Sequence, residues 1–299
     1  MRGLLSRWGF PKCVRAIFGE MNKPQTISGP EGLVPYSPAW LNGLSDEDKQ
    51  SLPVRNFSRS LHDDACSLVA WLLWSTQEKG QPTPLEYRQG SVFFLNCGHE
   101  TFAVTAGHVF EQFLKDQAER RVRGCRIGDV GFNPEDRLIE WGRDKRIDIA
   151  TFRVRPKEIE EIGKKVVQGT DGAWPPPPNL GEAVFFGGFP GCERIEVATR
   201  GFSFGLHSAM VPFTDLTEYQ VCCRFDRRYW VDVRGLGLPP VGYDLGGVSG
   251  GPMLQPVYQD GVWGWRLVGV ISEAIMAEEF ERITAVRAHF ILPDGRIGR

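Results

Sequence analysis

The residues that could do chemistry begin with "GGVSGGP", residues 246–252, where one serine stands among four glycines and the run closes on proline. Glycine enters positive φ freely and has no Cβ to block a close approach, so the stretch predicts a tight loop presenting Ser249 with its backbone N–H groups exposed. A hydroxyl so placed suits a nucleophile, and exposed amides suit an anion. Gly-Gly and Ser-Gly are also ordinary turn punctuation, so the loop means catalysis only if partners exist elsewhere in the chain. A serine hydroxyl is a poor nucleophile at neutral pH and needs a base to take its proton. His108 offers one, at the end of the apolar run "FAVTAG" and the start of a helical pattern. Asp148, in "RIDIATF", places a carboxylate inside an apolar run. A buried unpaired carboxylate is costly or protonates, so Asp148 needs a donor, and an imidazole N–H supplies one. The chain order His, Asp, Ser is one of those found among triad hydrolases.

These side chains need a frame, and from residue 90 the texture is that of short strands. "GSVFFLN", the turn "CGHE" and "TFAVTAGH" read as a hairpin, with "VFEQFLKDQAER" as a helix directly after His108. "RIDIATFRV", "GEAVFFGGFPG", "IEVATRGFSF", "TEYQVCCRF", "GVWGWRLVGVIS" and "RITAVRAHFI" continue the series. Many short strands, glycine-rich turns and few long helices predict an antiparallel all-β barrel or sandwich. The stiff "WPPPPN" at 174–179 splits the β region, giving a first β-barrel over 85–174 and a second over 175–299. Residues 1–84 read as an extension: a proline- and glycine-rich strap, a turn capped by Ser45, and a helix over 60–75. Leu61, Ala65, Leu68, Val69 and Leu72 form the apolar stripe of that helix.

Composition narrows the classes of function. A chain of 299 residues with 41% hydrophobic content can bury a core without staples. A formal charge of −2 shows no basic excess, so neither a nucleic-acid nor a membrane partner is expected. Seven cysteines are an odd count without zinc-type spacing and read as reduced thiols of a cytoplasmic protein. No window approaches eighteen uninterrupted apolar residues, which argues against a membrane span. His62, His99, His207 and His289 lack metal-type spacing, so no metal and no other cofactor is expected. The charge run "KDQAERRVR", residues 115–123, reads as a solvated helix face, with partner binding as the alternative.

The motifs also carry a resemblance. "VTAGH" at 104–108, "DIA" at 148–150 and "GGVSGGP" resemble the histidine, aspartate and serine motifs of the chymotrypsin-like (trypsin-like) serine peptidases. "LVGVIS" at 267–272 resembles the strand that follows the nucleophile in that family. The resemblance covers roughly residues 85–292 and implies two six-stranded antiparallel barrels with the active site between them. It implies a His108–Asp148–Ser249 triad, an oxyanion hole from the N–H groups of Gly247 and Ser249, and Ser272 hydrogen-bonded to the aspartate. Tyr243 stands where the base of the primary specificity pocket is set, followed by Asp244, and Glu273 and Ala274 line the same cleft; these four fix no specificity.

Val248 replaces the acid that secreted digestive members pair with a new amino terminus, and no cysteine brackets the histidine loop. Both departures point to an intracellular, bacterial-type branch. The implied activity is endoproteolysis of a protein or peptide substrate, with a regulatory partner acting on the extension or the extension simply completing the fold. A protease-fold binding protein without turnover and an esterase with the same triad are the alternatives.

Overall fold

The computed structural model describes residues 34–35, 52–78, 84–169, 180–197, 201–224, 239–259, 262–277 and 280–298. Ser45 and the 174–179 connector lie outside these residues. Strand β1 (Val34–Pro35) is followed by helix α1 (Leu52–Leu68) and then by β2 (Val69–Gln77). The helix expected over 60–75 therefore ends seven residues early, and the first sheet starts at Val69 instead of residue 85. The reason is burial on two faces. Val69 turns into a core shared with the second barrel, while Ala70, Leu72 and Trp74 turn into the interior of the first sheet. A helix would have offered only one buried stripe.

The first sheet continues with β3 (Glu86–Asn96), β4 (Thr101–Thr105), α2 (Gly107–Glu119), β5 (Arg121–Ile127), β6 (Val130–Gly131), α3 (Pro134–Arg137), β7 (Leu138–Trp141), β8 (Ala150–Arg153), α4 (Pro156–Ile162) and β9 (Val166–Gln168). Its strand order is β6-β5-β2-β3-β4-β8-β7, with β9 running parallel to β3. Period-2 alternation sorts its side chains: Phe93, Leu95, Phe102 and Val104 join the shared core, and Val92, Phe94 and Ala103 fill the interior. Among the described residues no ladder joins β7 to β5 or β6, so the sheet is a curled half-barrel and not the closed barrel expected. Helix α2 fills the gap. Its Phe110 meets Trp141 of β7 and Phe152 of β8 edge-on, each at 5.4 Å, and its Phe113 meets Trp74 of β2 at 6.0 Å.

The second half comprises β10 (Ala183–Gly188), the separate hairpin β11 (Arg194–Val197) and β12 (Gly201–Phe204), β13 (His207–Leu216), β14 (Gln220–Arg224), β15 (Pro252–Gln259), β16 (Val262–Ala277) and β17 (Phe280–Arg287). The order β15-β10-β13-β14-β17-β16 returns to β15, which closes a six-strand barrel. Val184, Phe186, Phe213, Cys223, Met253, Ile271 and Ile283 fill it. The last residues cross back to the half-barrel, where the Gly295 carbonyl accepts from Thr151 Oγ1 at 2.5 Å.

Helix α1 is built into this frame. Ala65 is 1% exposed in the shared core, His62 bonds Ser208 at 2.9 Å, and Lys164 donates to the Cys66 carbonyl at 2.6 Å. Two further expectations fail locally. "RIDIATFRV" forms a strand only from Ala150, leaving Asp148 in the preceding loop, because Gly142 and Ile149 close that loop on themselves at 2.9 Å. The run 115–123 is helix only to Glu119, and its last residues open β5. Cys66, Cys97, Cys125, Cys192, Cys222 and Cys223 are free thiols. Among the described residues no helix is long and apolar enough to cross a membrane.

Candidate active site

His108 is the second residue of α2, whose N-cap, Ala106, has no side chain to offer the helix's free amides. Asp148 supplies that cap from the loop before β8. One carboxylate oxygen accepts the His108 backbone N–H at 2.6 Å, and the other bonds His108 Nδ1 at 2.7 Å. Gly107 permits the approach: a Cβ there would sit 3.0 Å from Asp148 Oδ1. The same carboxylate thus fixes the helix end and the imidazole. The Asp148 side chain is 17% exposed and that of His108 47% exposed, so the ring stands at the surface on a shielded anchor. Burial works against the charged imidazole, but the Asp148 hydrogen bond and charge, with a smaller contribution from Glu111, outweigh it and raise the His108 pKa.

The half-buried Ser249 reaches this region through its backbone. The Ser249 carbonyl accepts from Ser91 N–H of β3 at 2.9 Å, and Gly250 N–H donates to the Ile271 carbonyl at 2.8 Å. Gly250 has φ 91°, and a Cβ there would collide with the Ser91 carbonyl and Thr105 Oγ1 and lie 3.0 Å from Ala106 N. The serine loop is therefore seated against the end of β4, directly before the His108 helix. Among the described residues the N–H groups of Gly247 and Ser249 have no acceptor, and Ser249 Oγ makes no hydrogen bond. The loop thus presents two free amides and a free hydroxyl where it meets the start of the His108 helix, groups of the kind acyl transfer uses.

Ser91 is a residue that the sequence reading missed. Its Oγ donates to the Gly247 carbonyl and accepts from Phe189 N–H, both at 2.8 Å, and its own carbonyl accepts from Thr105 Oγ1 at 2.6 Å. It bolts the serine loop to the half-barrel. The available signal was a hydroxyl at the head of the apolar run Val92–Leu95, where a buried polar group must find partners.

The expected supporting residues divide. Ser272 donates to the Thr284 carbonyl at 3.3 Å, not to Asp148, because it stands at the register shift between Ile271 and Glu273. Tyr243 and Asp244 do adjoin the serine loop. Tyr243 donates to Glu193 at 2.6 Å, and burial first, then Glu193 and Cys192, push its phenol pKa up. Asp244 accepts the Gly246 N–H at 2.7 Å, which engages it in loop structure. Glu273 pairs with Arg282 at 3.2 Å, and Ala274 packs against the closed barrel's core. Among the described residues no group of three or more His, Cys, Asp or Glu side chains is arranged to hold a metal ion.

The sequence matches no protein-family model and no curated protein. In structure the chain is similar to the serine protease domain of the Sesbania mosaic virus polyprotein, at 16% identity and TM-score 0.39, covering 74% of this chain and 89% of that one. A second match comes from work on aromatic interactions that drive the coupled folding and binding of the intrinsically disordered Sesbania mosaic virus VPg protein. It has 15% identity and TM-score 0.39, and covers 74% of this chain and 87% of that one. The bacterial-type branch draws no support from any of these comparisons.

Proposed function

We propose that this chain is a chymotrypsin-like serine endopeptidase. The observation that carries the reading is the double hold of Asp148 on His108, at 2.6 and 2.7 Å, beside a serine loop seated against β4. Ser249 attacks the peptide carbonyl, and His108 accepts its proton through Nε2 and returns it to the leaving amine. Asp148 keeps the Nδ1 proton in place and stabilises the imidazolium that forms. The Gly247 and Ser249 amides receive the developing oxyanion, a donation typically worth about 3–4 kcal/mol per donor in the transition state. Water then hydrolyses the acyl-enzyme by the same proton relay. Water attacks the ester carbonyl as His108 takes its proton, and the proton returns to Ser249 as the acid departs.

One observation favours a second reading, a protease-fold binding protein without turnover: Ser249 Oγ is not hydrogen-bonded to His108 among the described residues. A serine-directed phosphonate separates the two. Stoichiometric labelling that Ser249→Ala removes supports the peptidase; no labelling, or labelling that survives the change, rejects it. Rates on peptides against small acyl esters then separate peptidase from esterase. A chain starting near Gln81 cannot test whether the N-terminal segment gates the cleft, because it lacks β2, which lies between β3 and β5.

A further inference from the structure

We propose that the outer edge of β5 and the cavity beside it form a docking site for an extended peptide that alternates acidic and apolar residues. The cavity, about 450 Å³, lies between the C-terminal end of α2 and β5. Phe113, Val122 and Phe132 give it an apolar lining, and Arg120, Arg121 and Arg123 give it a basic one. The cavity lies along α2 from Phe113 onward, and Glu119 at the end of that helix is eleven residues from His108, about 16 Å along the axis from the His108 backbone at the usual rise. The site is separate from the triad.

Three features converge on this occupant. First, β5 is a sheet edge over most of its length. It pairs with β2 on one side, while β6 covers only Arg126 and Ile127 on the other and Phe132 N–H reaches the Cys125 carbonyl at 2.9 Å. Among the described residues nothing pairs with the outer side of Arg121–Gly124, and a Cβ added at Gly124 would meet no atom within 4 Å. An open edge of this kind recognises an added strand through main-chain hydrogen bonds.

Second, the edge strand carries arginines without an ion pair. Glu86 neutralises Arg120 through bonds of 2.5 and 2.8 Å, and on the far rim Gln117 and Asn133 hold the Glu135 and Asp136 carboxylates, but Arg123 bonds the neutral Gln77 side chain, and Arg121 and Arg126 make no ion pair among the described residues. Third, the apolar lining lies beside the edge, so an alternating strand can place acids on the arginines and an apolar side chain in the cavity. A nucleic-acid backbone has no N–H groups to pair with this edge, and the chain's net charge of −2 gives no wider basic field. Both points favour a peptide.

The test uses the full chain carrying Ser249→Ala and fluorescence polarisation with short labelled peptides of alternating Asp and Phe, or alternating Lys and Phe. The acidic peptide binds, and the affinity weakens about tenfold or more with Arg121→Glu/Arg123→Glu and again with rising salt. Methylating alternate backbone nitrogens of the peptide also abolishes binding. Should the charge-reversed chain melt early, Arg121→Gln/Arg123→Gln replaces it. Equal binding of the two peptides, indifference to the arginine changes or to backbone methylation, or binding of labelled oligouridine with the same arginine dependence overturns the proposal.

Discussion

In the half-barrel, the imidazole of His108 is held by a side chain from a separate loop, and that hold replaces a missing helix cap. In the closed barrel, Ser249 rides on a loop fixed mostly by main chain: Gly191 N–H to the Gly246 carbonyl, Gly250 N–H to Ile271, and Ile271 N–H to Gly251. The two halves therefore place their contributions by different physics. A side-chain hold can be altered atom by atom, so substitutions there should grade the chemistry while sparing the fold. A main-chain hold depends on glycine geometry, so substitutions there should act on packing and stability together.

The largest expected effects test whether the two halves act as one unit. Ser249→Ala should lower turnover by roughly 10⁴-fold or more, with an unchanged melting temperature. A parent-like rate would dissolve the comparison, since the closed barrel would then contribute no chemistry. Asp148→Asn keeps the shape of the cap but sets the wrong imidazole tautomer, and should cost up to about 10⁴-fold in kcat. The pH profile sharpens the point. His108 must be neutral to act as base, so activity should fall on acidification, with a midpoint above the ordinary histidine value. Removing the Asp148 charge should move that midpoint downward; an unmoved midpoint would mean that the carboxylate does not tune the ring.

Effects on packing come next. Gly250→Val forces a side chain into Ser91 and Thr105 from a left-handed backbone, and should cost several kcal/mol, read as a large drop in melting temperature. If only activity fell while stability held, the main-chain account of this half would be wrong. Ser91→Ala leaves the Gly247 carbonyl and the Phe189 N–H without their buried partner and should cost about 1–3 kcal/mol by denaturant titration.

The smallest effect concerns the half-barrel alone. Glu158 is buried on α4, and although burial opposes its charge, Arg155 and Arg137 hold its pKa down. Its contribution is present above the unfolded carboxylate pKa and lost as pH falls through the lower folded value. Glu158→Gln should therefore narrow the stability gap between neutral and acidic pH; an identical acid melting profile would rule this out.

The pieces most legible in the sequence were those with local causes. The β3–β4 hairpin, the helix carrying His108 and the tight serine loop all appear where periodicity and glycine placed them. Residues 69–75 were misread because Val69 and Leu72 continue a helical spacing, and only partners on both sides make the segment a strand. Ser272 was misassigned for a similar reason. Its position in the motif was readable, but the register shift on β16 that sends its hydroxyl to Thr284 depends on pairing with β17.

By itself, the sequence determined which groups can react and the backbone freedom that one loop would need, because side-chain chemistry and glycine's missing Cβ are properties of single residues. Tertiary structure alone decided that Asp148 caps the helix it orients, that Ser91 joins the two halves, and that one sheet stays open while the other closes. Those outcomes depend on hydrogen bonds and ring contacts between residues 14 to 156 positions apart, such as Thr105 with Ser91 and Ser91 with Gly247. No local pattern can encode the distance across such a pair.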